Sequence, residues 1–291
     1  MPSAAPSPND TTLEAPPMKF AVCNEIFQDY PLEEQFALAA RLGYDAIEIA
    51  PFTLEKRVTD ISGEQRARIV VLGREHGLEI AGIHWVLVGP DDLHITSPEP
   101  VVRERTVQYL RDLVRFGCDI GGRVMVVGSP KQRNILPGVN PEDARAWFAY
   151  ALAEAARVPG AEGFQVCIEP LLSDSTNMIT TAAEAREMAG RISLPNVGVI
   201  LDVNSMSHEE ADLPAAIRAT RDYLRHFHVN DPCQRGPGWG DVDFRPILKA
   251  LLEIGYTGYA SVEVFDFTLD PVEHAGKSLQ YLRDTLRQVT G

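Results

Sequence analysis

Residues 197–229 read VGVILDVNSMSHEEADLPAAIRATRDYLRHFHV. A short apolar run ends on Asp202, a polar stretch follows, and a short helix is expected around LPAAIRAT. A second apolar run, LRHFHV, then carries His228 near its end. Runs of four to eight residues rich in Val, Ile, Leu and Phe are strand signals. Two strands joined through a helix lie parallel, and parallel strands are buried on both faces.

The same grammar extends in both directions. The other strand candidates are MKFAVC (18–23), YDAIEIA (44–50), LEIAGIHW (78–85), RVMVVG (123–128), FQVCIE (164–169) and YASVEV (259–264). Amphipathic stretches lie between and after them, among them PLEEQFALAARLG, VRERTVQYLRDLVRFG, PEDARAWFAYALAEAARV, TAAEAREMAGRI, FRPILKALLEIG and PVEHAGKSLQYLRDTLRQV. Eight strand-then-helix units predict an α/β fold, a closed (β/α)8 TIM barrel. An open doubly wound sheet would carry a Gly-rich turn after its first strand, where this chain has Cys23-Asn24-Glu25-Ile26.

The 291 residues suit one such barrel. Residues 1–17, MPSAAPSPNDTTLEAPP, are rich in Pro, Ser and Ala and are expected to form a disordered tail; they lack the basic start and apolar stretch of a secretory leader. Residues 18–291 then form a single catalytic domain. Four cysteines without a CxxC pair read as reduced thiols of a cytoplasmic protein. No apolar run is long enough for a membrane span. A net charge of −14 argues against nucleic-acid and membrane partners.

Four polar residues sit where strands five to eight finish: Glu169, Asp202, His228 and Glu263. The intervals from 169 to 202, 202 to 228 and 228 to 263 are 33, 26 and 35 residues, each one strand–helix unit. Barrel enzymes gather their chemistry at this end. An unpaired buried carboxylate is costly, so three carboxylates and one imidazole converging there predict one divalent ion. Oxygen-rich donors favour Mn2+, with Mg2+, Co2+ and Zn2+ as alternatives. Such an ion polarises a carbonyl, while Glu169 and Glu263 form an acid–base pair for proton transfer at the neighbouring carbon. His226 points inward one layer below His228.

These residues resemble the sugar phosphate isomerase/epimerase superfamily with a xylose isomerase-like barrel, and among its branches the ketose 3-epimerases of the tagatose and psicose type. IEP around Glu169, LDV around Asp202, HFHVND around His228 and SVEVF around Glu263 carry the resemblance, which spans roughly residues 18–288. It implies that all four bind the metal, that Glu169 and Glu263 move the proton, and that Arg235 in RGPGWGDVDF meets substrate oxygens. Paired barrels, as homodimers or homotetramers, are common in that superfamily. Two departures concern the substrate. Ser175 stands near a second Glu of the ketose epimerases, and Ser205 stands where they often carry His. The expected function is therefore a metal-dependent sugar isomerase or epimerase. The alternative is a lyase or dehydratase on a keto sugar, 3-keto glycoside or keto cyclitol. An abasic-DNA endonuclease, a relative by fold, is disfavoured by the charge.

Further substrate-binding candidates are His84 at the end of strand three, Glu48 at the end of strand two, Lys131 in the loop after strand four, and Trp239 and Asp231 after strand seven. Glu25, Trp85 and Arg133 are weighed beside them, Arg133 as a rim cation for a substrate anion. Glu209 and Glu210 read as a solvated helix start.

Overall fold

The computed structural model describes residues 18–291; the expected tail over residues 1–17 lies outside them. The chain runs β1 (Lys19–Cys23), α1 (Leu32–Leu42), β2 (Ala46–Ile49), α2 (Gly63–His76), β3 (Glu79–Ile83), α3 (Pro100–Asp119), β4 (Val124–Val127), α4 (Pro141–Ala156) and β5 (Gln165–Ile168). It continues α5 (Ala182–Ile192), β6 (Val197–Asp202), α6 (Val203–Glu209), α7 (Leu213–Ala219), β7 (Leu224–Val229), α8 (Phe244–Glu253), β8 (Tyr259–Val262) and α9 (Pro271–Thr290). The strands close into one barrel in sequence order, and β1 pairs parallel with β8 to complete it.

Two elements depart from the sequence reading. The connection between β6 and β7 holds two short helices rather than one, because Asp202 and Asp212 each cap a separate start. Helix α2 was not singled out, since it buries only Ile69, Leu72 and Gly73 and so shows little apolar stripe. Its start is written instead in a capping box between Ser62 and Gln65.

The large apolar core lies between barrel and helices, where Phe20, Ile47, Ile49 and Phe227 face outward from their strands. Inside the barrel, small Ala21, Ala46 and Ala81 on β1–β3 oppose Val124, Val126, Cys167 and Ile200 on β4–β6. Above them the interior turns polar, with Glu48, His84, His226 and His228 all fully buried. Strand period two makes this layering possible. Among the described residues no helix is long and apolar enough to cross a membrane.

Candidate metal and catalytic site

Asp202 is the last residue of β6, and its pairing partner on β7 is His228. Glu169 and Glu263 each follow directly on the last residue of β5 and β8. The barrel register thus delivers all four to one end. One donor atom from each lies within 4.8 Å of every other.

Three of the four donors are held from behind. Asp202 accepts from the backbone N–H of Ser205 at 2.7 Å and from Asn230 Nδ2 at 2.5 Å. Asn230 is itself fixed, because its Oδ1 accepts from the Asn204 N–H at 2.7 Å. His228 places Nε2 at 3.2 Å from Glu48 Oε1 and Nδ1 at 3.1 Å from Glu263 Oε2. An ionised Glu48 can only accept, so it keeps the proton on Nε2 and turns the Nδ1 lone pair toward the cluster. Trp85 Nε1 donates to Glu263 Oε1 at 2.7 Å.

Electrostatics mark the same point. Burial pushes the Glu169 carboxyl up to about 8 and the Asp202 carboxyl up to about 6, with the Glu263 carboxylate adding to each rise. For Glu263 burial acts upward too, but His228 outweighs it and the net direction is down. For Glu48, His226 and His228 outweigh burial and hold the carboxyl well below its usual range. Burial disfavours the His228 cation, yet Glu263 and Glu48 raise its pKa well above the ordinary value. Three crowded, desolvated carboxylates beside a neutralisable imidazole are the donor set a divalent cation relieves. The residues present therefore fit a metal of the hard or borderline class.

A cavity of about 490 Å³ opens onto Glu169, Asp202 and Glu263. Its walls include Trp85, Phe265, Leu171, Leu172 and Lys131. Trp85 stacks between Phe52 at 5.5 Å and Phe265 at 6.0 Å. It does so with φ +50, a left-handed conformation that a bulky residue rarely holds. Ser175 and Ser205 also line the cavity.

The other candidates fall in different places. Lys131 lies on the cavity wall, whereas Glu48 is sealed under the histidines and reaches only them. His84 is fully buried, with Nε2 at 2.8 Å from Glu25 Oε2, because the left-handed turn at Trp85 gives the cavity to the indole instead. Trp239 packs on α9, its Nε1 donating to the His274 carbonyl at 3.3 Å under Lys277 at 3.8 Å. Arg235 pairs with Asp266 at 2.9 Å. Asp231 accepts from the N–H groups of Cys233 and Val242 and so shapes the loop after β7. Neither Arg235 nor Asp231 lines the cavity. Arg133 is no rim cation: it is wholly buried and donates to the carbonyls of Glu169 at 2.6 Å and Ile179 at 3.0 Å. Glu209 and Glu210 accept from the N–H groups of Ser173 and Ala182, each at 2.7 Å, tying down the segment between β5 and α5.

Asn230 was missed, although an amide right after a ligand-bearing strand was a usable signal. Phe265 was missed too. It reaches the cavity because its N–H and that of Asp266 both donate to the Gln234 carbonyl at 2.9 Å, a contact that no sequence spacing announces.

Known proteins share this barrel and match over much of its sequence. The profile of the xylose isomerase-like TIM barrel matches residues 36–285. The D-psicose 3-epimerase of Ruminiclostridium cellulolyticum is 26% identical over 235 residues, 78% of this chain and 75% of that one. The 3-dehydro-D-guloside 4-epimerase of Escherichia coli is 27% identical over 91% of this chain and 99% of its own. The crystal structure of 3-keto-D-glucoside 4-epimerase from E. coli superposes with a TM-score of 0.78 at 25% identity, covering 92% of this chain and 99% of the other.

Proposed function

The chain belongs to the xylose isomerase-like TIM barrel family, and on that premise we propose that it is a divalent-metal-dependent epimerase of keto sugars. The observation that carries the proposal is the convergence of Glu169 and Glu263, from β5 and β8, on the point they share with Asp202 and His228. Relatives named as epimerases of psicose and of 3-dehydro-guloside support it.

Glu169, Asp202, Glu263 and His228 Nδ1 would hold the ion. When bound, it supplies Lewis-acid polarisation of the substrate carbonyl. The rest falls to the chain's own groups. One of the two glutamates takes the proton from the carbon beside the carbonyl, and the electron pair of that C–H bond passes toward the carbonyl group. The other glutamate returns a proton to the same carbon from the opposite face, so the configuration inverts with no net change in composition. Trp85 Nε1 fixes one oxygen of Glu263 and leaves the other facing the cluster. Trp85 and Phe265 line the cavity and offer the substrate an apolar, aromatic wall.

The test is solvent-deuterium incorporation into free ketoses, ketose phosphates and 3-keto glycosides with Mn2+-loaded protein. Deuterium at the carbon beside the carbonyl, in an epimeric product, is expected. Glu169→Gln and Glu263→Gln are expected to abolish turnover in folded, metal-binding protein. Loss of water or of an aglycone would assign a lyase instead. Full activity in either variant would sink the acid–base pair.

A further inference from the structure

We propose that the opposite end of the barrel is a second binding site, for a small phosphorylated organic molecule carrying hydroxyl groups. A cavity of about 540 Å³ opens at the N-terminal mouth, within the size range of small-molecule sites. It is lined by Lys19, Val124, Gln165, Leu224 and Tyr259, the first residues of five of the eight strands. The cavity therefore lies on the barrel axis, at the end away from Glu169, Asp202 and Glu263.

Its charge is opposite to that of the chain. Four cations line it, Lys19, Arg123, Arg221 and Arg225, and no carboxylate does, in a protein of net charge −14. On one side Glu79 receives Lys19 and Arg123 together, and both cations lie over the Tyr259 ring at 5.8 and 6.0 Å. One carboxylate thus steers two cations, leaving an uncompensated charge. On the other side, neither Arg221 nor Arg225 forms an ion pair among the described residues, and Arg225 spends one N–H on the Leu224 carbonyl at 3.2 Å. Guanidinium forks left free in this way match the paired oxygens of a phosphate.

The floor adds the second half of the ligand. His226, fully buried, borders this cavity. Its Nε2 is committed to Glu48 Oε2 at 2.7 Å, and its Nδ1 has no partner. With the proton on Nε2, Nδ1 is an acceptor. Gln165 Oε1, on the same lining, is also buried without a partner. Two orphaned acceptors beneath a ring of cations call for a ligand that brings an anion to the rim and hydroxyl donors to the floor. Inorganic phosphate alone would satisfy only the rim.

The experiment is calorimetric titration of Mg2+-loaded full-length protein with inorganic phosphate and with glycerol 3-phosphate at near-physiological salt. Both are expected to bind saturably, glycerol 3-phosphate more tightly. Arg221→Gln/Arg225→Gln is expected to weaken both by about tenfold or more, the loss of charge-assisted hydrogen bonds. Glutamine keeps the stem of Arg225, which packs over Gly198. The double Lys variant should restore part of the affinity, and Lys131→Gln, at the catalytic mouth, should leave it unchanged. If the double variant does not fold, Arg221→Gln alone carries the test, because that side chain is exposed. Absence of saturable binding, binding unaffected by the arginines, or binding lost only in Lys131→Gln would overturn the proposal. So would a variant that loses thermal stability yet keeps its affinity, since the arginines would then serve only the nearby helix C-termini.

Discussion

Glu48 Oε1 lies 3.2 Å from His228 Nε2, while its other oxygen lies 2.7 Å from His226 Nε2. One buried carboxylate therefore orients two imidazoles, and only the upper one faces the cluster. Glu48→Gln keeps the volume but replaces one accepting oxygen by a donor, so one histidine must turn or change tautomer. The expected result is metal affinity lower by about 10–100-fold with the fold intact, on the scale of other carboxylate–histidine supports. Competition against a chelating dye measures it. Unchanged affinity would mean that packing alone orients His228.

Gly128 gives a steric test of Glu169. A Cβ at this position would sit 2.1 Å from Glu169 Oε2, closer than any real contact. Gly128→Ala must therefore displace the carboxylate or the strand end. Metal affinity is expected to fall by about tenfold or more, equivalent to roughly 1.4 kcal/mol or more. Retained affinity would show that Glu169 has another rotamer that still reaches the ion.

Trp85→Phe isolates one hydrogen bond. Phenylalanine preserves the stack between Phe52 and Phe265 but removes the N–H that Glu263 accepts at 2.7 Å. A bond to an ionised group is worth about 1.5–3 kcal/mol, so kcat/KM should drop by about tenfold to a hundredfold. Trp239→Phe, on the α9 side, should leave kcat/KM near wild type. Equal effects in both variants would point to general loosening of the barrel rim.

These contrasts show what sequence could and could not reveal. Glu169, Asp202, His228 and Glu263 were legible because a polar group ending an apolar strand is conspicuous and the strand end fixes its height in the barrel. Their spacing also carried the fold. What lay out of reach were pairings across the barrel, such as Glu48 with His226, 178 positions apart. Such pairs depend on register and shear, which local pattern does not encode. Backbone conformation misled in a second way. His84 was expected at the rim, but positive φ at Trp85 turns the next side chain there instead. At Gly238, φ +79 precedes a tryptophan that turns to α9 rather than to the cavity. Arg133 misled in a third way, because a cation in a rim loop folds inward when three carbonyls need a donor.

His274 on α9 provides a pH test of the loop that follows β7. Its Nε2 accepts from the Gly236 N–H at 2.9 Å, which only the neutral ring can do. Burial lowers its pKa from the usual 6.5 to about 4; nearby Asp266 pulls upward, with Arg235 and Lys277 acting downward. The folded state therefore resists a proton that the unfolded chain takes up readily. Stability should be fully present above about pH 6.5 and should fall progressively as pH drops toward 4, because the unfolded state binds more protons in that window. Between pH 7 and pH 5 this one group accounts for up to about 2 kcal/mol, at 1.36 kcal/mol per pKa unit. Urea unfolding at both pH values, for wild type and His274→Gln, measures it. Other titrating groups affect both proteins alike, so the difference in slope belongs to His274. The variant should be less stable at pH 7, where the amide replaces a well-placed acceptor, yet lose less on acidification. Parallel pH profiles for the two proteins would show that the ring is not held neutral, and that the Gly236 contact does not tie the loop to α9.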